Sequence, residues 1–152
     1  MSIAIGIDPG KKGAMAIIES TPDGIGEVKI IPFEPSDYIS ALKRYSGATA
    51  CIEDVHALRG NGVTASFTFG KTYGWLLGAL DALGVSYQAV SVQKWKKHFG
   101  LTSDKGQSIE VCRRLFPNVN LKRTDKCKKD DDNFAEACLL GIYAMRNFGC
   151  RN

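Results

Sequence analysis

The stretch Ile3-Ala4-Ile5-Gly6-Ile7-Asp8-Pro9-Gly10 sets the frame for the rest of the chain. Alternation along a strand sends Ile3, Ile5 and Ile7 to one face and Ala4, Gly6 and Asp8 to the other. The carboxylate therefore shares its face with the smallest side chains available, which leaves room for something bulky to approach. Pro9-Gly10 ends the strand, and Lys11-Lys12-Gly13 turns the chain into a second apolar run at residues 14–18, predicting a hairpin with a basic tip.

Outward from this hairpin, Thr21-Pro22-Asp23-Gly24 reads as a turn, and residues 27–31 alternate like a third strand that Pro32 stops. A three-stranded antiparallel meander follows from these runs. Pro35 and Ser36 open a short helix reaching about Tyr45, with Gly47 as its stop. The run 48–53 is then a buried strand, which a helical crossover places parallel to the first, and it too ends on a carboxylate, Glu53. Residues 57–63, with Gly60, Asn61 and Gly62, read as a flexible loop. Thr64 is the expected cap of a long helix to about Leu83, closed by Gly84. Residues 85–90 form a fifth strand. The remainder is helical around Trp95, from about Lys105 to Phe116, and from about Asp131 to Asn147, with a basic loop at 122–129. The pattern predicts an α/β fold with a five-stranded mixed sheet, three antiparallel strands then two parallel, and helices on both faces.

At 152 residues, 44% hydrophobic and 24% charged, the chain is expected to form one domain over residues 1–152. It has no basic N-terminal segment followed by a long apolar run, and no stretch approaching eighteen apolar residues, so a soluble, non-exported cytoplasmic protein is expected. Five cysteines at 51, 112, 127, 138 and 150 contain no CxxC pair. That argues against a disulfide framework and a zinc site and for reduced thiols, with Cys51 and Cys138 in the core. Charge is uneven: residues 1–93 carry a net −2 and residues 94–152 a net +6. A basic half favours a polyanionic partner, although many basic surfaces are only solvated.

Asp8 and Glu53 each close an apolar strand, and on parallel neighbouring strands their carboxylates stand about 5 Å apart, a metal-bridging distance. A third source of acid is Asp130-Asp131-Asp132-Asn133-Phe134-Ala135-Glu136, where Asp132 and Glu136 share a helical face. Like charges at that spacing cost an isolated helix about 0.2 to 0.5 kcal/mol, which a cation would offset. Oxygen ligands without His or Cys suit Mg²⁺ or Mn²⁺, and two such ions activate water and stabilise the leaving oxygen of a phosphodiester. Taken singly, Asp131 and Asp132 also read as helix N-terminal acids, and Asp8 as a turn former before proline. Their common placement at two strand ends and one helix start favours the site, and Ala4 and Gly6 then read as packing clearance for the final helix rather than for substrate.

These residues resemble the RuvC-type Holliday-junction resolvases, especially the shorter phage members, within the RNase H-like superfamily. Gly6-Ile7-Asp8-Pro9-Gly10 looks like the first motif, Ile52-Glu53-Asp54-Val55 the second, and Asp132 to Ala137 followed by Cys138-Leu139-Leu140 the acidic final helix. Trp95-Lys96-Lys97, Lys105 and Leu115-Phe116-Pro117 are similar to the phage stretch between them. The resemblance covers nearly the whole chain. It implies a homodimer that cuts symmetric strands of a four-way DNA junction through metal-activated water in a bacterial or phage-infected cell. It makes Asp8, Glu53, Asp132 and Glu136 the catalytic and metal-binding carboxylates, with two Mg²⁺ or Mn²⁺ ions and no nucleotide cofactor. The bacterial pattern ends in Asp, with another Asp three residues earlier. Here the last acid is Glu136 and that spacing falls on Asn133, so Asp132 is preferred and Asp131 is its alternative.

The resemblance also places Lys96 and Lys105 near junction-contacting lysines; Lys11 and Lys12 at the hairpin tip join them as candidate DNA contacts. Phosphate contacts of this kind give affinity and register but little sequence choice. Phe67 is the candidate to wedge into the junction, while Phe69 and Tyr73 read as core residues. Gly70, Gly74 and Gly78 recur every fourth residue of the long helix, at about 1 kcal/mol of helix propensity each, so close packing against the sheet or a second copy is expected. His56 has a possible role in proton transfer or a packing role, and His98 has none assigned. A broader branched-DNA or RNA/DNA-hybrid nuclease and a non-catalytic junction-binding module are the competing readings.

Overall fold

The computed structural model describes residues 2–57 and 60–149, with the side chain of Lys105 outside that description. Leu58 and Arg59, inside the expected glycine loop, and Cys150 lie outside the described residues. Five strands, β1 (Ile3–Asp8), β2 (Ala14–Thr21), β3 (Gly24–Pro32), β4 (Thr49–Asp54) and β5 (Ser86–Ser91), form one sheet in the order β3-β2-β1-β4-β5. The first three pair antiparallel, whereas β4 runs parallel to β1 and β5 parallel to β4. This is the predicted mixed sheet. The second and third strands are longer than their apolar runs indicated, because pairing continues past an irregularity between Ile18 and Ser20 up to the Thr21–Gly24 turn.

Among the described residues there are five helices, α1 (Pro35–Arg44), α2 (Val63–Ala82), α3 (Val92–His98), α4 (Lys105–Leu115) and α5 (Asp132–Asn147), with α4 packed on α5. Strand alternation divides the core as expected. Ile5 and Ile7 pack with Tyr38, Leu42, Ile52, Leu76 and Leu80 on the α1 and α2 side. Ala4, with Cys51, packs with Trp95, Cys112 and the inner face of α5 on the other. Cys51, Cys112 and Cys138 are buried free thiols, and Cys127 is free and half-buried.

Helix α2 begins at Val63 after Gly62 with no side-chain cap, so Thr64 lies inside it and is not its cap. Its buried face is Thr72, Leu76, Ala79 and Leu80. A methyl group added to Gly70, Gly74 or Gly78 would meet nothing within 4 Å. The sheet is thereby ruled out as the surface these glycines pack on.

The contact that fixes the Asp8 end of the sheet is between β1 and α5. A Cβ on Gly6 would overlap the Ala137 carbonyl oxygen and the Gly141 nitrogen, and would stand 2.9 Å from Gly141 Cα. Only a glycine lets the helix backbone approach so closely. Two strand residues beyond Gly6 advance about 6.6 Å, the rise of four to five helical residues. Stepping back by that amount from Ala137 reaches the start of α5, which therefore lies beside Asp8.

Candidate metal centre

The parallel pairing sets Ile7 opposite Ile52, which makes Asp8 and Glu53 neighbours at the C-terminal ends of the two central strands, on the face that α5 covers. Glu136 descends from α5 onto the same spot. One carboxylate oxygen from each of Asp8, Glu53 and Glu136 lies within 4.8 Å of the others. Asp8 is 7% exposed, and its Oδ2 is a buried oxygen with no hydrogen-bond partner among the described residues. An orphaned buried carboxylate oxygen facing two more acids is a donor set suited to a hard divalent cation.

Burial, reinforced by the charges of Glu136, Glu53, Asp132 and Asp131, raises the Asp8 carboxyl well above the usual carboxylate range. Burial likewise pushes Glu53 up from 4.5 to about 7, opposed by a hydrogen bond from Trp95, raised further by Glu136 and lowered by Lys96. Acids raised in this way favour the folded state below their unfolded pKa and lose that contribution as pH climbs through the folded one. Metal-free protein should therefore lose thermal stability between about pH 4.5 and 7, by roughly 5 to 10 °C from Glu53 alone. Thermal melts in EDTA should show a flatter pH dependence for Glu53→Gln; equal slopes would mean that Glu53 is not the group responsible.

Asp131 and Asp132 have different places. Asp131 is the N-cap of α5: its side chain accepts from the backbone N–H of Asn133 at 2.9 Å and of Phe134 at 3.4 Å, and from Arg123 Nε at 2.7 Å. Both of its oxygens are thus engaged away from the cluster. Asp132 is the first residue of the helix, one turn before Glu136, and its charge acts on Asp8 more strongly than that of Asp131. It is not among the three acids whose oxygens converge.

Of the basic residues singled out in the sequence, Lys11 and Lys12 are exposed at the turn after Asp8. Lys96 does not stand out in solvent: its Nζ is 3.6 Å from Glu136 Oε1 and its side chain is 19% exposed. Lys105 opens α4, but its side chain lies outside the described residues. Phe67 is 68% exposed on α2. Phe69 is not a core residue as expected; it lies at the surface beside Gly10, where an added Cβ would stand 3.3 Å from its ring. Gly10 itself has φ +123°, a conformation that glycine alone adopts readily. His56 is largely exposed and reaches Asp54 Oδ2 at 3.4 Å, while His98 packs edge-on against Phe99 and Tyr143, next to Arg146.

Two residues at the site carried no assigned role in the sequence. Trp95 donates its indole N–H to Glu53 Oε2. Arg123 joins Asp131, the Lys12 carbonyl and the Phe134 ring, tying the basic loop to the hairpin turn beside Asp8. Arg123 lies in the lysine-rich stretch and carries no local signal that separates it from its neighbours.

No family model and no curated protein matches the sequence. Solved structures do match in fold. RuvC of Thermus thermophilus in complex with a Holliday-junction substrate superposes with a TM-score of 0.68 at 13% identity, covering 97% of each chain. The yeast mitochondrial Holliday-junction resolvase Ydc2 gives 0.60 at 14% identity, over 95% of this chain and 78% of that one. Fowlpox virus resolvase, solved with substrate Holliday-junction DNA, gives 0.54 at 15%, over 93% and 97%. At these identities the likeness establishes the fold: the mixed sheet and its helices are those of RuvC and other Holliday-junction resolvases.

Proposed function

We propose that the chain is a metal-dependent, structure-selective DNA endonuclease that resolves four-way junctions by paired symmetric cleavage, in bacterial or phage recombination or genome packaging. The carrying observation is the convergence of Asp8, Glu53 and Glu136 within 4.8 Å at the two central strand ends, in a fold shared with solved junction resolvases. Asp8, Glu53, Asp132 and Glu136 hold Mg²⁺ or Mn²⁺, two ions per site. Held by these residues, such ions would supply Lewis-acid activation of water and charge neutralisation at the scissile phosphate. The protein's part is to hold these acids fixed where a cation would keep them ionised against the burial that raises them, and to present phosphate-binding lysines around them. Lys11 and Lys12 flank the site at the turn after Asp8, Lys96 borders Glu136, and Lys105 opens the following helix. Phe67, exposed in the first turns of α2, is the side chain to enter the opened junction centre.

The 152 residues act as one nuclease domain, and two copies cut the two strands. The open glycine line of α2, flanked by Val63 at 87% and Phe67 at 68% exposure, is the face on which they meet. Gly74→Ala should raise the stability of an isolated subunit by up to about 1 kcal/mol while weakening dimerisation at least tenfold. Sedimentation over a range of concentrations separates the two effects, and unchanged association would remove this face from the interface.

The deciding assay incubates the protein with a synthetic four-way junction, a Y-fork and a linear duplex, with and without Mg²⁺ or Mn²⁺. Junction cleavage that requires metal is the expected result. Equal cutting of all three substrates would overturn junction selectivity and favour a broader branched-DNA nuclease. Binding without cutting under either metal would favour a junction-binding module.

A further inference from the structure

Trp95 heads the fully buried side chains by volume, in the middle of the seven-residue helix α3. Its surroundings are apolar, with Cys51, Val90, Cys112 and the inner face of α5 in the same cluster. Filling that space requires only an apolar ring. An indole N–H removed from water also requires an acceptor, and this one finds Glu53 Oε2 at 2.9 Å, across 42 positions of sequence. Glu53 is one of the three converging acids and stands at the end of a central strand. Its carboxylate has a free rotation about its last bond unless something holds one oxygen. The residue after Trp95 faces the same cluster, with Lys96 Nζ 3.6 Å from Glu136 Oε1. Helix α3, capped by Ser91 at its start, therefore touches two of the three acids.

We infer that Trp95 is a positioning residue of the metal centre: its buried indole N–H pins Oε2 of Glu53, sets the rotation of that carboxylate and leaves Oε1 as the ligand atom. The inference rests on the reading of the acid cluster as a divalent-metal site. Trp95 acts on the site through Glu53, whose Oε2 its indole N–H holds. Donors behind a metal ligand typically change metal affinity about 10- to 100-fold when removed. Phenylalanine keeps the ring in the core and removes only the donor and part of the volume.

The test titrates Mn²⁺ into wild-type protein and Trp95→Phe, reading free Mn²⁺ by electron paramagnetic resonance, with thermal melts alongside. Affinity in the variant should fall about 10- to 100-fold. A lower melting temperature with unchanged Mn²⁺ affinity would show a packing role only and overturn the inference. Should Trp95→Phe not fold, the wild-type indole resonances decide. The chain has two tryptophans, so Trp75→Phe assigns the signal of Trp95, which should shift during a Mg²⁺ titration and saturate with the backbone signals of Asp8 and Glu53. A Trp95 resonance that stays still while those signals move overturns the inference and leaves the metal centre standing. Wild-type protein that binds neither ion overturns the metal centre itself and the inference with it.

Discussion

Glu136→Gln is expected to bind a four-way junction as tightly as the wild type and to cleave it at least about 10³-fold more slowly, a loss of about 4 kcal/mol of transition-state stabilisation. The substitution preserves shape and replaces a charged oxygen donor with an amide at the point where three carboxylates converge. A neutral amide is a poor ligand for a hard divalent cation and returns no negative charge to it. DNA affinity should not suffer, because phosphate binding depends on lysines and losing an anion near the DNA weakens no attraction. Thermal stability in EDTA should hold or rise, since Glu136 is the leading charge acting on buried Asp8. Gel-shift binding and single-turnover cleavage on the same junction measure both quantities. Full nuclease activity in the variant would take Glu136 out of the site.

The second large effect is structural. Gly6→Ala should destabilise the protein by about 3 kcal/mol or more, because the added methyl overlaps the backbone of α5 at Ala137 and Gly141. No flexible side chain is available to give way. The helix must lift from the sheet, along a face where Phe134, Ala135, Ala137, Cys138 and Leu139 are all buried. Lifting α5 also carries Glu136 away from Asp8 and Glu53, so cleavage should fall further than the unfolded fraction accounts for. Urea denaturation and cleavage measured well below the unfolding midpoint separate these losses. Near-wild-type values of both would show that the β1 and α5 backbones do not meet as described.

Much of this architecture was legible in the sequence. The five strands, their sense and their two-sided burial follow from period-two alternation and from Gly and Pro breaks, which are local signals. The acids at the ends of β1 and β4 could be placed by the same means. The small residues opposite Ile3, Ile5 and Ile7 announced the final helix as a close neighbour, and α5 lies against Gly6. The glycine line of α2 was legible as a groove but not as an open one, because helical spacing specifies a face and not what lies against it. Phe69 was assigned to the core on its apolar character, yet it rests at the surface on the turn that Gly10 makes.

Asp131 and Asp132 show where local reasoning ends. Both are acids at a helix start, and sequence spacing left either available to the site. The structure commits Asp131 to the cap and to Arg123, while Asp132 stands one turn before Glu136 without joining the three converging oxygens. Trp95 and Arg123 follow the same rule, since each reaches a partner far along the chain, Glu53 in one case and the Lys12 carbonyl in the other. By itself the sequence determined which acids the chain carries, the strand ends that hold two of them and the sheet they belong to, because alternation and chain breaks act over a few residues. Only the tertiary structure decided which oxygen each donor takes and which acids converge, because those pairings depend on strand register and on how closely α5 settles onto Gly6.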